Sequence, residues 1–147
     1  MADPFRLLFR VRYAECDPQG IVFNARWGDY VDLAATEYTR VIFGGVDPAV
    51  TGVDWRLVRQ VLEWRAPARF DDVLEARVRT TAVGTTSFTL ATEFLRDDNQ
   101  LVTAETVYVI VDPAAGVKRP VPERHRAALT NGAPGTLADY GGKRATK

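Results

Sequence analysis

The sequence predicts an α+β domain in which a sheet of about five mostly antiparallel strands wraps around one long helix. Two observations support this fold class. Apolar residues recur at the three- and four-residue spacing of a helix in one long stretch, residues 27–42, and they alternate with the period of a strand before and after it. A single amphipathic helix must bury its apolar stripe, and the sheet is the surface available to it.

The long helix lies between a first strand and the remaining strands. Apolar residues at every second position over residues 5–13 indicate the first strand, and a loop over residues 14–23 follows it. Asn24 is a candidate N-cap of the helix, and Gly44 with Gly45 marks its end. The stripe predicted to face the sheet consists of Trp27, Tyr30, Val31, Ala34, Tyr38, Val41 and Ile42.

Four further strands are predicted between residues 55 and 111. Residues 55–70 are apolar but irregular, with a break near Pro67, and residues 74–82 and 88–94 alternate on either side of a hairpin turn at Gly84. After a turn at residues 97–99, residues 101–111 are apolar on both faces, which is typical of a central strand. We expect a short closing helix over residues 122–129. One domain then spans residues 1–130, and residues 131–147 form a flexible tail.

Composition disfavours several classes of function. Nineteen basic residues balance nineteen acidic ones, so we expect no nucleic-acid partner, and no apolar run is long enough to cross a membrane. The single cysteine, Cys16, fits a reducing cytoplasm. One His and one Cys do not make a zinc site, and no glycine-rich phosphate loop is present, so we expect neither a metal nor a cofactor. These absences favour chemistry that a carboxylate can carry out alone.

The loop before the helix contains the strongest candidate for such chemistry. Asp17 lies seven residues before Asn24, and Gly20 between them permits a tight backbone path. The first amides of a helix have no partner inside it, so they can hold an oxyanion while a facing carboxylate attacks a carbonyl or activates water. A thioester suits this site, because a thiolate with a pKa of about 8.5 leaves without a strong acid. The alternative is that Asp17 only shapes an Asx turn with Pro18.

The run Asp17-Pro18-Gln19-Gly20-Ile21-Val22, followed by the aromatic-bearing helix, resembles the signature of the 4-hydroxybenzoyl-CoA thioesterase family over about residues 5–130. The resemblance implies a hotdog fold and a homo-oligomer, dimer or tetramer, with the active site at a dimer interface. It assigns Asp17 as nucleophile or general base and the backbone amide of Asn24 as the group that polarises the thioester carbonyl, with Gly20 and Trp27 at the substrate. Members often have an aromatic residue or histidine where Asn24 stands, which leaves the shape of the pocket open.

Two further groups are candidates for substrate binding. In the branch of that family acting on hydroxyaromatic acyl groups, an acid lies on the helix fifteen residues after the catalytic one, and Asp32 matches that position. Asp32 would accept a hydrogen bond from a phenol, and the alternative is a solvated helix face. Lys118 and Arg119 belong to a basic cluster after the last strand and are candidates for binding CoA phosphates, unless that end is simply solvated.

We expect no catalytic role for the other polar candidates. Glu37 is interpreted as a surface residue that pairs with Arg40 at i+3. Cys16 and His125 would be a nucleophile and a base, but they lie in distant segments with no supporting motif.

The sequence therefore predicts hydrolysis of an acyl-CoA thioester, with an aromatic, hydroxybenzoyl-like acyl group as the expected substrate. Two alternatives stay open. A hotdog dehydratase or hydratase normally needs a histidine beside an acid. A non-catalytic acyl-CoA-binding module needs no acid facing the start of the helix.

Overall fold

The chain combines one long helix with a mostly antiparallel sheet. The computed structural model describes residues 3–141. The strands are β1 (Phe5–Arg10), β2 (Asp54–Trp64), β3 (Val73–Val83), β4 (Ser87–Arg96), β5 (Asn99–Val111) and β6 (Leu137–Asp139). The helices are α1 (Trp27–Phe43), α2 (Pro48–Thr51) and α3 (Glu123–Asn131), with short 3₁₀ turns at Tyr13–Glu15 and Asn24–Arg26. None of these helices, in the described part of the chain, has the length and apolar character needed to cross a bilayer.

The sheet has six strands in the order β2-β5-β4-β3-β1-β6, so the prediction of five strands was wrong. Neighbouring strands are antiparallel except β6, which pairs parallel with β1. β6 arises from residues assigned to the flexible tail, and its three residues carry no alternation that would reveal it. Its position depends on contacts with β1, where the Tyr140 amide donates to the Leu8 carbonyl at 2.7 Å. The last part of that predicted tail, residues 142–147, lies outside the described residues.

Helix α1 ends as its sequence predicts but begins differently. Gly44 follows its last residue in the left-handed region, with φ of +77°. Asn24 was expected to cap the helix, and this was wrong. It is the first residue of the 3₁₀ turn that leads into α1, and no side chain caps that turn. Val41, counted in the apolar stripe, is 46% exposed, whereas its neighbours Ile42 and Phe43 pack against the core.

Glu37 does not lie on the surface, as had been expected. It is buried because the segment after β6 passes over it, and the Tyr140 hydroxyl donates to Glu37 Oε2 at 3.1 Å. The predicted ion pair with Arg40 is confirmed, with 3.2 Å between Arg40 Nε and Glu37 Oε2. A residue more than one hundred positions away in the sequence thus decides the burial of Glu37.

Helix α1 packs on the sheet mainly over β1, β3 and β4, and it meets β2 where Phe43 packs on Trp55 and where Gly28 lies beside Gln60. Trp27 meets Phe94 edge to face, with ring centroids 5.3 Å apart, at the centre of the contact. Along β2, by contrast, Leu57 and Trp64 remain 51% and 53% exposed. The space between α1 and this strand is called the α1–β2 groove and is bounded by Gly28 and Asp32 on α1 and Leu57, Gln60 and Trp64 on β2.

Candidate active site

The loop between β1 and α1 holds Asp17 in a tight, hydrogen-bonded turn. The Asp17 amide donates to the Ile21 carbonyl at 2.8 Å, and the Gly20 amide donates to the Asp17 carbonyl at 2.9 Å. Gly20 adopts φ of +77°, which an L side chain would oppose. The Gln19 amide donates to Asp17 Oδ1 at 2.8 Å, so the Asx turn considered from the sequence is present. It uses one carboxylate oxygen, and Oδ2 has no hydrogen bond to any residue from 3 to 141.

Backbone bonds fix both ends of this loop to the segment that follows β2. The Val22 amide donates to the Ala68 carbonyl at 2.8 Å, and the Phe70 amide donates to the Gly20 carbonyl at 3.3 Å. An isolated bridge between Ile21 and Arg69 lies between these two bonds. The Asp17 turn is therefore attached to the body of the domain on one side and leads into α1 on the other.

Glu15 connects the same loop to α1 and was not singled out from the sequence. It accepts hydrogen bonds from the Arg12 amide at 2.8 Å, from the Arg12 guanidinium at 3.0 Å and from the Tyr30 hydroxyl at 2.9 Å. Burial raises the pKa of Glu15, but the bonds from Arg12 and Tyr30 outweigh burial and hold the pKa below its ordinary value. Burial and the bond to Glu15 together raise the pKa of Tyr30. The three-residue spacing of Arg12 and Glu15 was a visible signal, whereas the contact with Tyr30 was not.

A cavity of about 480 Å³ opens beside this loop, between the start of α1 and the end of β2. Most of its lining is apolar, and three predicted site residues, Asp17, Asn24 and Trp27, contribute to it. The remaining lining residues are Gln19, Ile21, Val22, Phe23, Trp64, Arg65, Ala66 and Pro67. Gly20 shapes the turn but does not line the cavity. Trp64 was missed from the sequence because its strand had no clear alternation.

The amide of Asn24 is available as a hydrogen-bond donor at this cavity. Asn24 begins the 3₁₀ turn, so its N–H has no acceptor inside the turn, and no described residue accepts from it elsewhere. The turn continues into the seventeen residues of α1, whose aligned peptide dipoles favour negative charge at this end. The side chain of Asn24 contributes no cap, so the backbone N–H is the group through which it can act.

Asp32 lies about two turns further along α1 than Asn24 and is exposed. It does not line the 480 Å³ cavity but bounds the α1–β2 groove next to it. Burial together with the charge of Asp32 raises the pKa of Tyr108 on β5 to about 12. No described residue forms an ion pair with Asp32, so its carboxylate is free to accept a hydrogen bond.

Within one chain, Lys118 and Arg119 are remote from Asp17. Lys118 bridges to Val111 at the end of β5, and the Arg119 guanidinium donates to the Gly52 carbonyl at 3.4 Å. The cavity lies near the other end of β5, because Val102 on β5 pairs with Trp64. The nine steps from Val102 to Val111 correspond to roughly 30 Å at the rise of a strand. The expected grouping of these cations with Asp17 therefore does not occur in a single copy.

Cys16 and His125 are also far apart. His125 is buried against Phe43 at the end of α1, and its Nε2 is 2.9 Å from the Thr51 carbonyl oxygen. Cys16 lies in the loop before α1, where burial raises the pKa of its thiol. Burial lowers the pKa of His125, which keeps its imidazole neutral at neutral pH. No His, Cys, Asp or Glu side chains within residues 3–141 are grouped as metal ligands would be.

Comparisons with known proteins agree with this architecture. The family model described as the thioesterase-like superfamily matches residues 11–129. The acyl-CoA thioester hydrolase YbgC of Escherichia coli is 31% identical over 121 residues, covering 81% of this chain and 90% of that protein.

Two solved structures are similar in fold. One is the gentisyl-coenzyme A thioesterase BH1999, with a TM-score of 0.75, 22% identity, and coverage of 86% of this chain and 99% of that one. The other is Slr0204, a 1,4-dihydroxy-2-naphthoyl-CoA thioesterase from Synechocystis, with a TM-score of 0.77 and 19% identity. The match covers 86% of this chain and 96% of that one. The hotdog fold predicted from the sequence is confirmed.

Proposed function

The chain belongs to the thioesterase-like superfamily, and we propose that it hydrolyses an acyl-CoA thioester at the cavity beside Asp17. One observation carries the proposal. A carboxylate with a free oxygen and a backbone amide without an acceptor, those of Asp17 and Asn24, line the same largely apolar cavity. The related YbgC protein, an acyl-CoA thioester hydrolase, supports the reaction type.

In the proposed reaction, the thioester carbonyl oxygen accepts a hydrogen bond from the Asn24 amide. Negative charge on that oxygen is then stabilised by the amide and by the dipole of α1. Asp17 Oδ2 either attacks the carbonyl carbon, giving an anhydride that water cleaves, or removes a proton from an attacking water. Both routes break the carbon–sulfur bond and release a free acid and CoA. A CoA thiolate, with an ordinary pKa of about 8.5, leaves without a dedicated acid.

We propose an aromatic, hydroxybenzoyl-like acyl group as the substrate. The rings of Phe23, Trp27 and Trp64 line the cavity and suit a flat apolar group. Asp32 lies roughly 13 Å beyond Asn24 along the helical path, a span suited to a benzoyl ring with a hydrogen bond at each end. The two similar structures are named for hydroxyaromatic acyl-CoA substrates, which supports this class. We assign the reaction to the cytoplasm, which suits the free thiol of Cys16.

We further propose that the site is completed by a second copy paired along β2, either in a dimer or in a tetramer built from two such dimers. β2 is an eleven-residue edge strand with exposed apolar side chains. Two-fold antiparallel pairing of two β2 strands would bring the Asp54 end of the partner beside the Trp64 end of this chain. Lys118 and Arg119 lie at the Asp54 end, because Asp54 pairs with Val111. They would then bind CoA phosphates at the neighbouring cavity.

The experiment that tests the reaction compares Asp17→Asn with Asp29→Asn on a panel of acyl-CoAs, by release of free thiol. Asp29 is a matched control, because it is an exposed aspartate near the start of α1, paired with Arg26 at 3.2 Å. We expect Asp17→Asn to lose more than about tenfold in kcat, over 1.4 kcal/mol, and the control to stay within about twofold. Retention of more than about a tenth of wild-type kcat in Asp17→Asn would contradict its assignment. No thiol release by the wild type would favour a binding module.

A further inference from the structure

The α1–β2 groove has a polar group on its floor that the proposed reaction does not use. Tyr108 on β5 pairs across strands with Leu57 on β2 and with Phe88 on β4. Directly opposed residues in a sheet share a face, and Phe88 belongs to the buried core beneath α1. Tyr108 and Leu57 therefore lie on the face of the sheet towards α1, between the points where the helix meets Trp55 and Gln60 of β2.

The hydroxyl of Tyr108 lacks the partner that other tyrosines have. Tyr30, Tyr38 and Tyr140 bond through their hydroxyls to Glu15, Thr80 and Glu37. Tyr108 is only 6% exposed, yet its hydroxyl has no hydrogen bond to any residue between 3 and 141. Its ring is held in place by a stacked contact with Phe88, at 5.2 Å between centroids. The ring is buried, but the described residues do not fully enclose the hydroxyl oxygen, so this rigidly held donor can bond to a molecule that enters the groove.

The carboxylate of Asp32 lies at the same part of the groove. Gly28, one turn before Asp32 on α1, lies beside Gln60, which pairs with Thr106, and Tyr108 is the next residue of β5 on that face of the sheet. Asp32 also has no hydrogen bond within the described chain, and its charge adds to burial in raising the pKa of Tyr108 to about 12. The phenol therefore keeps its proton at neutral pH and remains a donor. A donor and an acceptor, each without a partner in the described residues, lie together two turns of α1 beyond the proposed oxyanion donor.

We propose that Tyr108 determines specificity together with Asp32 by binding the ring hydroxyl of the acyl group. The Tyr108 hydroxyl donates to the oxygen of the substrate phenol, and the phenol donates its own proton to Asp32. This inference rests on the proposed function, since it names a second contact to the same acyl group. It gives a partner to a hydroxyl that the described residues leave unbonded at the groove.

The test is Tyr108→Phe, with Tyr38→Phe as the matched control. Tyr38 is equally buried on α1, but its hydroxyl is satisfied by Thr80 Oγ1 at 2.7 Å, at a different part of the sheet. We measure kcat/KM for 4-hydroxybenzoyl-CoA and benzoyl-CoA, and Kd for both ligands in an Asp17→Asn background by calorimetry. Tyr108→Phe should lower the preference for the hydroxylated ligand by roughly 3- to 10-fold, the effect of one hydrogen bond. Tyr38→Phe should lower stability and leave the preference unchanged.

The outcomes separate the two proposals. The first supporting result is that Asp17→Asn still binds 4-hydroxybenzoyl-CoA more tightly than benzoyl-CoA. If Tyr108→Phe then reduces that difference in Kd, Tyr108 binds the ring hydroxyl even where turnover is low. An unchanged preference in Tyr108→Phe, with the wild type preferring the hydroxylated ligand, overturns the inference and leaves the proposed reaction intact. Wild-type protein that neither binds nor hydrolyses aromatic acyl-CoAs overturns the substrate class, and the inference with it.

Discussion

Replacing Glu15 by glutamine tests whether the loop carrying Asp17 is held by a buried charge. Glutamine keeps the shape of the side chain but cannot accept the same charged hydrogen bonds from Arg12 and Tyr30. Hydrogen bonds to charged groups contribute about 1.5–3 kcal/mol each. Arg12 is 80% exposed, so water screens its ion pair and its share is small. The bond from Tyr30 is buried and accounts for most of the effect. We expect a loss of about 2 kcal/mol in the free energy of unfolding.

The pH dependence of that loss identifies its cause. The pKa of Glu15 is lower in the folded chain than its ordinary value, so its stabilising contribution is present above the unfolded pKa. The contribution is lost as the pH falls through the folded pKa. The difference between wild type and Glu15→Gln should therefore be largest near pH 7. It should shrink below about pH 4.3, the ordinary pKa of glutamate, as the wild-type carboxylate takes up a proton.

The assay is urea unfolding at a series of pH values. The Tm at pH 7 should also fall by about 6 °C, because 1 kcal/mol corresponds to about 3 °C in a domain of this size. Glu105→Gln is the matched control. Glu105 makes a shorter contact, 2.6 Å to Arg59, but both side chains are more than half exposed. Its replacement should cost at most about 1 kcal/mol. If Glu15→Gln costs no more than Glu105→Gln, or its cost does not depend on pH, the buried charge does not hold the loop.

Two further predictions follow from the proposed site. Asp32→Ala should lower the ratio of kcat/KM for 4-hydroxybenzoyl-CoA over benzoyl-CoA by roughly 10-fold, the low end for a charged hydrogen bond, because Asp32 is solvated in the free protein. An unchanged ratio would make Asp32 a surface residue, and a wild-type preference for aliphatic acyl-CoAs would contradict the aromatic class. Light scattering at micromolar concentration should give a dimer or tetramer, because β2 leaves apolar side chains exposed. A monomer would contradict both the assembly and a site completed by a partner.

Local sequence patterns predicted much of this molecule, and its long-range contacts explain the rest. The end of α1 at Gly44 and the two-residue turn at Asp97 and Asp98 depend on backbone conformation, which neighbouring residues encode. The Asp17 turn was likewise visible from the spacing of its aspartate and glycine. Two of the failures involved a partner far away in the chain. Glu37 is buried by Tyr140, and β6 exists only through its pairing with β1.

The residues of the candidate site fall into the same two groups, those predicted from local sequence and those that depend on long-range contacts. The motif located Asp17 and Asn24, which one short loop brings to the same cavity. Other contacts join segments that are far apart in the sequence, so residue periodicity could not predict them. They are the hydrogen bond of Tyr30 to Glu15 and the effect of the Asp32 charge on Tyr108. Residue spacing therefore identified the groups that we propose react, whereas the residues that support them, and those proposed to face the acyl group, required the fold.

The unequal edges of the sheet limit how far copies of this chain can assemble. Over residues 3–141, one edge of the sheet is β2, with eleven residues, and the other is β6, with three. Two-fold pairing through β2 uses the long edge of both copies and leaves only the short β6 edges outside. Such a pair is closed, whereas a chain with β1 bare would offer a second long edge and could add copies end to end into a filament. If copies pair through β2 as proposed, we expect the short strand β6 to protect the pair against open-ended polymerisation.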